Sequence, residues 1–580
     1  MATRQGGTGA GRKRILLSGV FGPFGVDDAF GRKENIMELF HNQVTKAQGA
    51  ASFRFHHRSF GLYFIAANVD ADVTVLDFPS RGRFIRELAK GYDIVGISFI
   101  APNFVKAREM ARLARIHAPG AEIVLGGHGA AIEGVAERID CDHVVRGEGI
   151  RWLREHLGQD PDAPIAHPIL PTTEHQSILG IPIPGATSNL LVPGVGCVNG
   201  CSFCCTSHFF GKKYAPFLRT GKELFEAARR IADARGTDVF FVMDENFLKD
   251  KERAMALVEE MERRKRFFSF YLFSSAETIT AFGVENLVRL GVVFLWIGFE
   301  SKTRQDLFAK NQGIDARHLV RHLRDHGISV LASGILCMEH HTPDNMEEDI
   351  DFLVGLEADL VQFMLLMPLP VTAVYERFKK SGLLDEELPF EEWHGQKMLP
   401  WRHPAFTQDA PSKWLDAAFR KDFGVNSSSL FRTCETAFRG YRTLAARPKG
   451  DPNLDARREQ LRQRVAQYAL TLPAIAKLAA TDLERGRALA LDAAIRREFG
   501  PPSIVERVQS LAAIALALRW RLRLALFGDR IQPKTIITHH AEQAPAVLPL
   551  AGIVSEPAEE SEEKPVARVR RADAQSLSLG

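Results

Sequence analysis

Residues 189–209 read NLLVPGVGCVNGCSFCCTSHF: a short apolar strand, glycine-punctuated turns, then four cysteines within nine residues. Cys197, Cys201 and Cys204 stand at a Cys-x3-Cys-x2-Cys spacing. Three thiolates on one glycine-containing loop can converge on an iron-sulfur cluster and leave one iron without a protein ligand. A Cys3His zinc site using His208 is the competing metal reading, but structural zinc ligands usually come as two separated pairs, and here no second pair exists. Cys205, next to Cys204, reads as a packed or spare thiol.

Outward from this loop the pattern is regular. NLLVPGVG, DVFFVM, FSFYLF, VVFLWIGF, SVLASGIL and DLVQFMLL read as strands, with helical periodicity near 221–235, 250–265, 277–290, 315–326, 343–355 and 372–380. Six βα units in succession predict a parallel barrel or partial barrel, with chemistry at the strand carboxyl ends. Upstream, RILLSGVF, VTVLDF, DIVGISF, EIVLGG and DHVVRGEG alternate with helices and predict a doubly wound, Rossmann-like α/β domain. Gly126, Gly127 and Gly129 follow one of those strands, and Gly147, Glu148 and Gly149 the next. A ligand at such ends can approach backbone closely, although glycine also serves simply to make turns. The expected division is an α/β domain over 13–157, a proline-rich linker over 158–186, the βα series over 187–400, a helical region over 401–530 and a disordered tail over 540–580.

Composition sets the class. At 580 residues, 45% hydrophobic and 25% charged, the chain has globular values that exclude a largely disordered, collagen-like or multi-span membrane protein. A net charge of +3 is too balanced to imply nucleic acid. Clustered cysteines in a long chain indicate a metal site in a reducing compartment, and MATRQGGTGAGRKR does not read as a secretory signal, so the expected location is cytoplasmic. The apolar stretch LAAIALALRWRLRLALF, Leu511 to Phe527, is interrupted by Arg519, Arg521 and Arg523 and should not span a bilayer. Arg521 lies nearly opposite Arg519 and Arg523 on a helical wheel, which favours a helix buried on the barrel over the alternative, a peripheral membrane contact.

The cysteine loop in this setting resembles that of the radical S-adenosylmethionine (SAM) superfamily, with Phe203 at the aromatic position before the last cysteine. The resemblance implies that the SAM amino group meets the end of the second strand, MDENF, where Asp244 and Glu245 match the acidic positions. It also places Glu300 and Ser301 of GFES beside the ribose and methionyl part. SGILCMEHHTPDN and LMPLPVTAVYERF resemble later SAM-contacting segments, but Met338 and Val371 stand where other members carry glycine. His340 and His341, in the loop after the fifth strand, are candidates for substrate contact.

YDIVGISF, EIVLGGHGA and CDHVVRGEGI resemble the cobalamin-binding domain of the B12-dependent radical SAM subgroup, so that the two resemblances together cover about residues 13–385. The Asp-x-His-x-x-Gly loop that donates a histidine to cobalt in many B12 proteins is replaced by GVFGPFGVDDAFG. What the resemblance implies is an enzyme holding a [4Fe-4S] cluster, SAM and cobalamin. It would cleave SAM to a 5'-deoxyadenosyl radical and methylate an unactivated carbon of a small-molecule or lipid substrate, drawing electrons from a donor such as a flavodoxin or ferredoxin. The alternatives are radical cyclisation, coupling or rearrangement without methyl transfer and, from another class, a cobalamin- or SAM-binding regulatory protein.

Overall fold

The computed structural model describes residues 12–20, 44–45, 47–48, 53–54, 58–77, 79–172, 177–178, 181–182, 188–407, 410–527 and 535–540. Most of the GVFGPFGVDDAFG loop and the tail beyond His540 lie outside these residues. Five parallel strands form the N-terminal sheet: β1 (Arg14–Gly19), β2 (Asp72–Asp77), β3 (Ile94–Ser98), β4 (Glu122–Gly126) and β5 (His143–Val144), in the order β2-β1-β3-β4-β5. They are continuous apolar runs because helices cover both faces; Ile15, Leu16, Val75 and Val95 are buried. The strand order reverses between β1 and β3, and ligands of doubly wound sheets bind outside the carboxyl ends at such a switch point.

The second sheet is also parallel and follows chain order: β6 (Asn189–Leu191), β7 (Val239–Val242), β8 (Ser269–Phe273), β9 (Val292–Glu300), β10 (Ser329–Leu336) and β11 (Leu360–Leu365). Its first and last strands are not hydrogen-bonded to each other, so the six βα units make an open barrel. Boxed caps start two of its helices: Thr220 with Glu223 opens Gly221–Arg235, and Thr342 with Asn345 opens Pro343–Val354. The helix expected over 277–290 is two, Ala276–Phe282 and Val284–Leu290, because Gly283 at φ +87° breaks the turn between them.

Three features depart from the sequence reading. Within the proline-rich stretch, Ser177–Ile178 pairs with Ile181–Pro182 and with Phe53–Arg54 as a small antiparallel sheet. Beyond the last long helix, β12 (Ile536–His539) returns to the N-terminal sheet and pairs antiparallel with β2, where no strand was expected. The C-terminal region is helical as anticipated, but its last helix, Ile504–Phe527, is not buried on the barrel: of its described side chains only Ala517 and Trp520 are buried.

Arg432, fixed by an ion pair within the helical region, ties that region to the barrel. Arg432 is buried, and its guanidinium donates to Asp422 at 2.8 and 3.0 Å and to the Ala358 carbonyl, just before β11, at 2.7 Å. Asp422→Ala leaves a buried cation uncompensated and is expected to cost about 3–5 kcal/mol, read as a lower denaturant midpoint. An unchanged midpoint would show that the pair does not anchor this region.

Candidate active site

The cysteine loop is held by its own backbone. It lies between the arms of a two-stranded ribbon, Gly194–Gly196 with Tyr214–Pro216. Gly196 sits at φ +90°, and a Cβ there would fall 2.3 Å from the Lys213 carbonyl, so only glycine fits. Ser207 closes the loop: its hydroxyl donates to the Cys197 carbonyl at 2.7 Å and accepts from the Gly200 N–H at 3.0 Å. The Cys204 N–H donates to the Cys201 carbonyl at 2.9 Å, and Cys204 caps the short helix Cys205–Phe209. The far side is tied down by the Val374 N–H, which donates to the Ser202 carbonyl at 3.1 Å.

All three thiols are half-buried. Burial raises the pKa of Cys197 and Cys201 and pushes Cys204 up to about 11, with the neighbouring charges of Glu245 and of the other two cysteines adding to the rise at Cys204. Such thiols ionise only with a compensating cation, which makes metal loading proton-releasing. Among the described residues, the three sulfurs do not form a group whose atoms all lie within 4.8 Å of one another. Three thiols on one loop, with no second ligand pair in the sequence, fit a cluster that leaves one iron open. Cys205 is half-buried, and burial with its neighbour Cys204 pushes its thiol to about 12. Phe203 packs against the barrel core, its ring 6.1 Å from that of Phe308.

The acidic residues at the strand ends are not equivalent. Asp244 is buried, and its Oδ2 accepts from the Tyr214 hydroxyl at 2.7 Å and from Arg253 at 3.0 Å, while Oδ1 accepts from the Asn246 N–H at 3.1 Å. Its charge is thus met within the protein. Glu245 has no such cation. Its side chain is exposed in the half-open cavity between the sheets, and the protein around it together with the Asp244 charge pushes its carboxyl up to about 7.

Glu300 ends β9 at φ +64° and is ion-paired with Lys310 at 2.6 Å. A Cβ on Gly298 would lie 2.3 Å from the Glu300 carboxylate and 2.7 Å from Lys310 Nζ, so glycine makes room for the pair. Burial alone would lower the Lys310 pKa, but the charges of Glu300 and Cys201 hold it above its usual value. Ser301 is buried, with its hydroxyl 3.2 Å from Thr303 Oγ1 and 3.4 Å from His340 Nε2. His341 accepts at Nδ1 from the Met338 N–H at 2.9 Å and meets Asp349 through Nε2 at 2.9 Å. Both ring nitrogens are used internally, so His341 orders the loop, while His340 faces Ser301 and Thr303.

The two sheets meet at one cavity of about 470 Å³. The N-terminal sheet contributes its strand ends, including Gly19, Asp77, Ser98 and the Gly126–His128 turn; the barrel contributes Thr206, Phe209, Phe210, Met243, Asp244 and Glu245. Gly126 and Gly147 line it with open space where a Cβ would stand, a cradle suited to close approach by a large planar ligand. Gly127 also lines it, but its Cβ would point at the Phe99 carbonyl 2.6 Å away. Gly129 packs on the Phe99 ring. Glu148 and Gly149 both line the cavity, yet the Glu148 carboxylate is spent capping helix Gly149–His156, accepting from the Ile150 and Arg151 N–H groups at 2.6 and 2.9 Å.

His128, Lys310 and Arg253 were not singled out from the sequence. Burial lowers His128 to about 4, so it is neutral, and its ring centre lies 4.7 Å from that of Phe209 on the cluster helix. Its place in GGHGAA at a strand end was the available signal. Nothing local marks Lys310 or Arg253, whose partners come from other elements.

Comparison with known proteins agrees with this architecture. The B12 binding domain model matches residues 49–155, and the radical SAM superfamily model matches residues 191–353. The chain thus carries a B12-binding domain followed by a radical SAM domain, and its homologues are cobalamin-dependent radical SAM methyltransferases, whose cofactors are a [4Fe-4S] cluster, SAM and cobalamin. It is 25% identical over 336 residues to the bacteriochlorophyllide d C-8(2)-methyltransferase of Chlorobaculum tepidum, covering 53% of this chain and 72% of that one. To the hopanoid C-2 methylase of Rhodopseudomonas palustris it is 24% identical over 332 residues, 52% of this chain and 62% of that one. A solved structure of the radical SAM methyltransferase TsrM from Kitasatospora setae, with cobalamin and a [4Fe-4S] cluster bound, shares the fold at a TM-score of 0.52 and 16% identity, covering 78% of this chain and 99% of that chain.

Replacing Cys197, Cys201 and Cys204 together by alanine should abolish the iron-sulfur absorption of anaerobically reconstituted protein, whereas Cys205→Ala should retain it. Equal iron and sulfide content in the triple variant and the wild type would show that the ligands lie elsewhere.

Proposed function

We propose that this chain methylates an unactivated carbon of a hydrophobic substrate, with a lipid as the leading class. The observation that carries the reading is the shared cavity: the open glycines of the N-terminal sheet and the carboxylate beside the cysteine loop face the same space. When bound, the cluster supplies one-electron cleavage of SAM to a 5'-deoxyadenosyl radical, and cobalamin supplies the methyl group.

The chain's own residues then have distinct parts. Cys197, Cys201 and Cys204 would hold the cluster. Glu245, the strand-end carboxylate without an internal cation, would take the SAM ammonium, while Arg253 and Lys310 hold Asp244 and Glu300 in place. Gly126 and Gly147 would let the cobalamin lie against backbone, and Phe209, Phe210 and Phe273 keep water from the space between. The first loop, GVFGPFGVDDAFG, holds no histidine to offer cobalt. The hydrophobic substrate is supported by the aromatic lining and by the two relatives above, one named for a chlorophyll-type pigment and one for a hopanoid lipid. A reductant is required, and a flavodoxin or ferredoxin would serve.

Reconstituted protein given SAM with a deuterated methyl group and a total lipid extract should place that methyl on a lipid, detected by mass spectrometry. Production of 5'-deoxyadenosine with a rearranged, unmethylated product would favour radical chemistry without methyl transfer instead.

Two variants test the site assignments. Because the Glu245 carboxyl titrates near 7, its ionised form grows as pH rises from 6 to 8. SAM affinity should rise over the same range, and Glu245→Gln should weaken it by about 1–3 kcal/mol and flatten the pH dependence. Unaltered binding in that variant removes Glu245 from the SAM site. Gly126→Trp projects into the open cradle and should prevent cobalamin uptake while iron and sulfide content stay at the wild-type level. Normal uptake would place the cofactor elsewhere. Gly126 is the better probe than Gly127, where a side chain meets Phe99 backbone and strains the turn.

A further inference from the structure

The last long helix, Ile504–Phe527, exposes an apolar surface that nothing among the described residues covers. It packs against helix Leu472–Leu478. Of the fourteen exposed large apolar side chains among the described residues, seven belong to this one helix, so the exposure is concentrated rather than scattered. Ile504 is 80% exposed, Leu511 66%, Leu522 60% and Leu526 65%. At about 100° per residue, Ile504, Val508, Leu511, Leu518, Leu522 and Leu526 lie within about 40° of one line. That line runs the full length of the helix, about 36 Å at 1.5 Å per residue.

The charges are arranged around this line. Arg507 and Arg521 flank it on one side, Arg519 and Arg523 on the other, and all four are exposed. The Arg523 guanidinium lies over the Trp520 ring, 5.2 Å from its centre. Glu506 is the helix's single acidic residue, and its carboxylate is turned back on the Ser503 N–H at 2.7 Å. From Arg507 to Phe527 there is no negative charge. Arg521, opposite Arg519 and Arg523 on the wheel, thus forms with Arg507 one of two basic borders on either side of the apolar stripe.

We infer that this helix lies in the surface of an anionic lipid bilayer, its leucine stripe immersed among the acyl chains and its arginine borders among phosphate headgroups. An apolar stripe alone would serve a protein partner equally well. The double basic border decides for lipid, because long arginine side chains reach outward to headgroups on both sides while their stems stay apolar. Among the described residues no helix is long and apolar enough to cross a membrane, and this one is placed along the surface by the arginines on both sides of its stripe. The inference does not depend on the methyltransferase reading, although a lipid substrate would be met at the same surface.

Sedimentation of the reconstituted full chain with phosphatidylcholine vesicles, with and without phosphatidylglycerol, tests it. Binding is expected to require phosphatidylglycerol and to weaken as sodium chloride is raised. The double variant Leu511→Glu, Leu522→Glu should lower the vesicle affinity by more than about ten-fold. Because both side chains are exposed, its cluster content and SAM cleavage should stay at wild-type levels, which separates failure of this contact from failure of the catalytic reading. Three results would overturn the inference: no binding to anionic vesicles, equal binding by wild type and double variant, or a wild-type dimer that the double variant dissolves, which would make the stripe a contact between two copies.

Discussion

A parallel strand covered on both faces has room for charged side chains only at its ends. That constraint shapes both halves of the molecule. The strands of each sheet are buried along their length, so every polar group with a chemical part to play collects at a carboxyl edge. The chain places the two carboxyl edges against each other across one cavity. Two cofactors whose reactive atoms must approach a common substrate need such an arrangement. Neither sheet supplies it alone.

Within that edge, charge is rationed. Asp244, Glu245 and Glu300 all stand at strand ends, but Asp244 is held by Arg253 and Glu300 by Lys310. Removing either cation would leave a buried carboxylate unpaired, which is costly. Glu245 is left without an internal cation and correspondingly resists ionisation. A cationic ligand group beside it would relieve that resistance. The same logic applies to the thiols, which burial keeps protonated until metal arrives.

The alternation of apolar runs made the strands of both sheets readable in the sequence, and the cysteine spacing made the cluster loop readable. What was not readable depended on distant partners. β12 pairs with β2 across more than four hundred residues, as in the contact of His539 with Thr74, and its own sequence carries no signal of that edge. Asp244 and Glu245 are adjacent in MDENF and look alike there; Arg253 and Tyr214, brought by other elements, make them different. The arginines of the last helix were legible, but their meaning depended on knowing that the opposite face, with Ala517 and Trp520, was already used.

The carboxyl edge of the barrel also stores strain. Seven non-glycine residues have positive φ among the described residues, and three of them, Glu300, Cys337 and Val371, follow the successive strands β9, β10 and β11. A β-branched valine at φ +74° is the most adverse of these. Such conformations cost on the order of 1–3 kcal/mol each and persist only where surrounding structure fixes them. Here the fixing is visible. Lys310 holds Glu300, Asn311 donates to the Gly298 and Phe299 carbonyls beside it, and the Cys337 N–H meets the Met346 sulfur. An edge held in this way keeps the loops after these strands in one conformation.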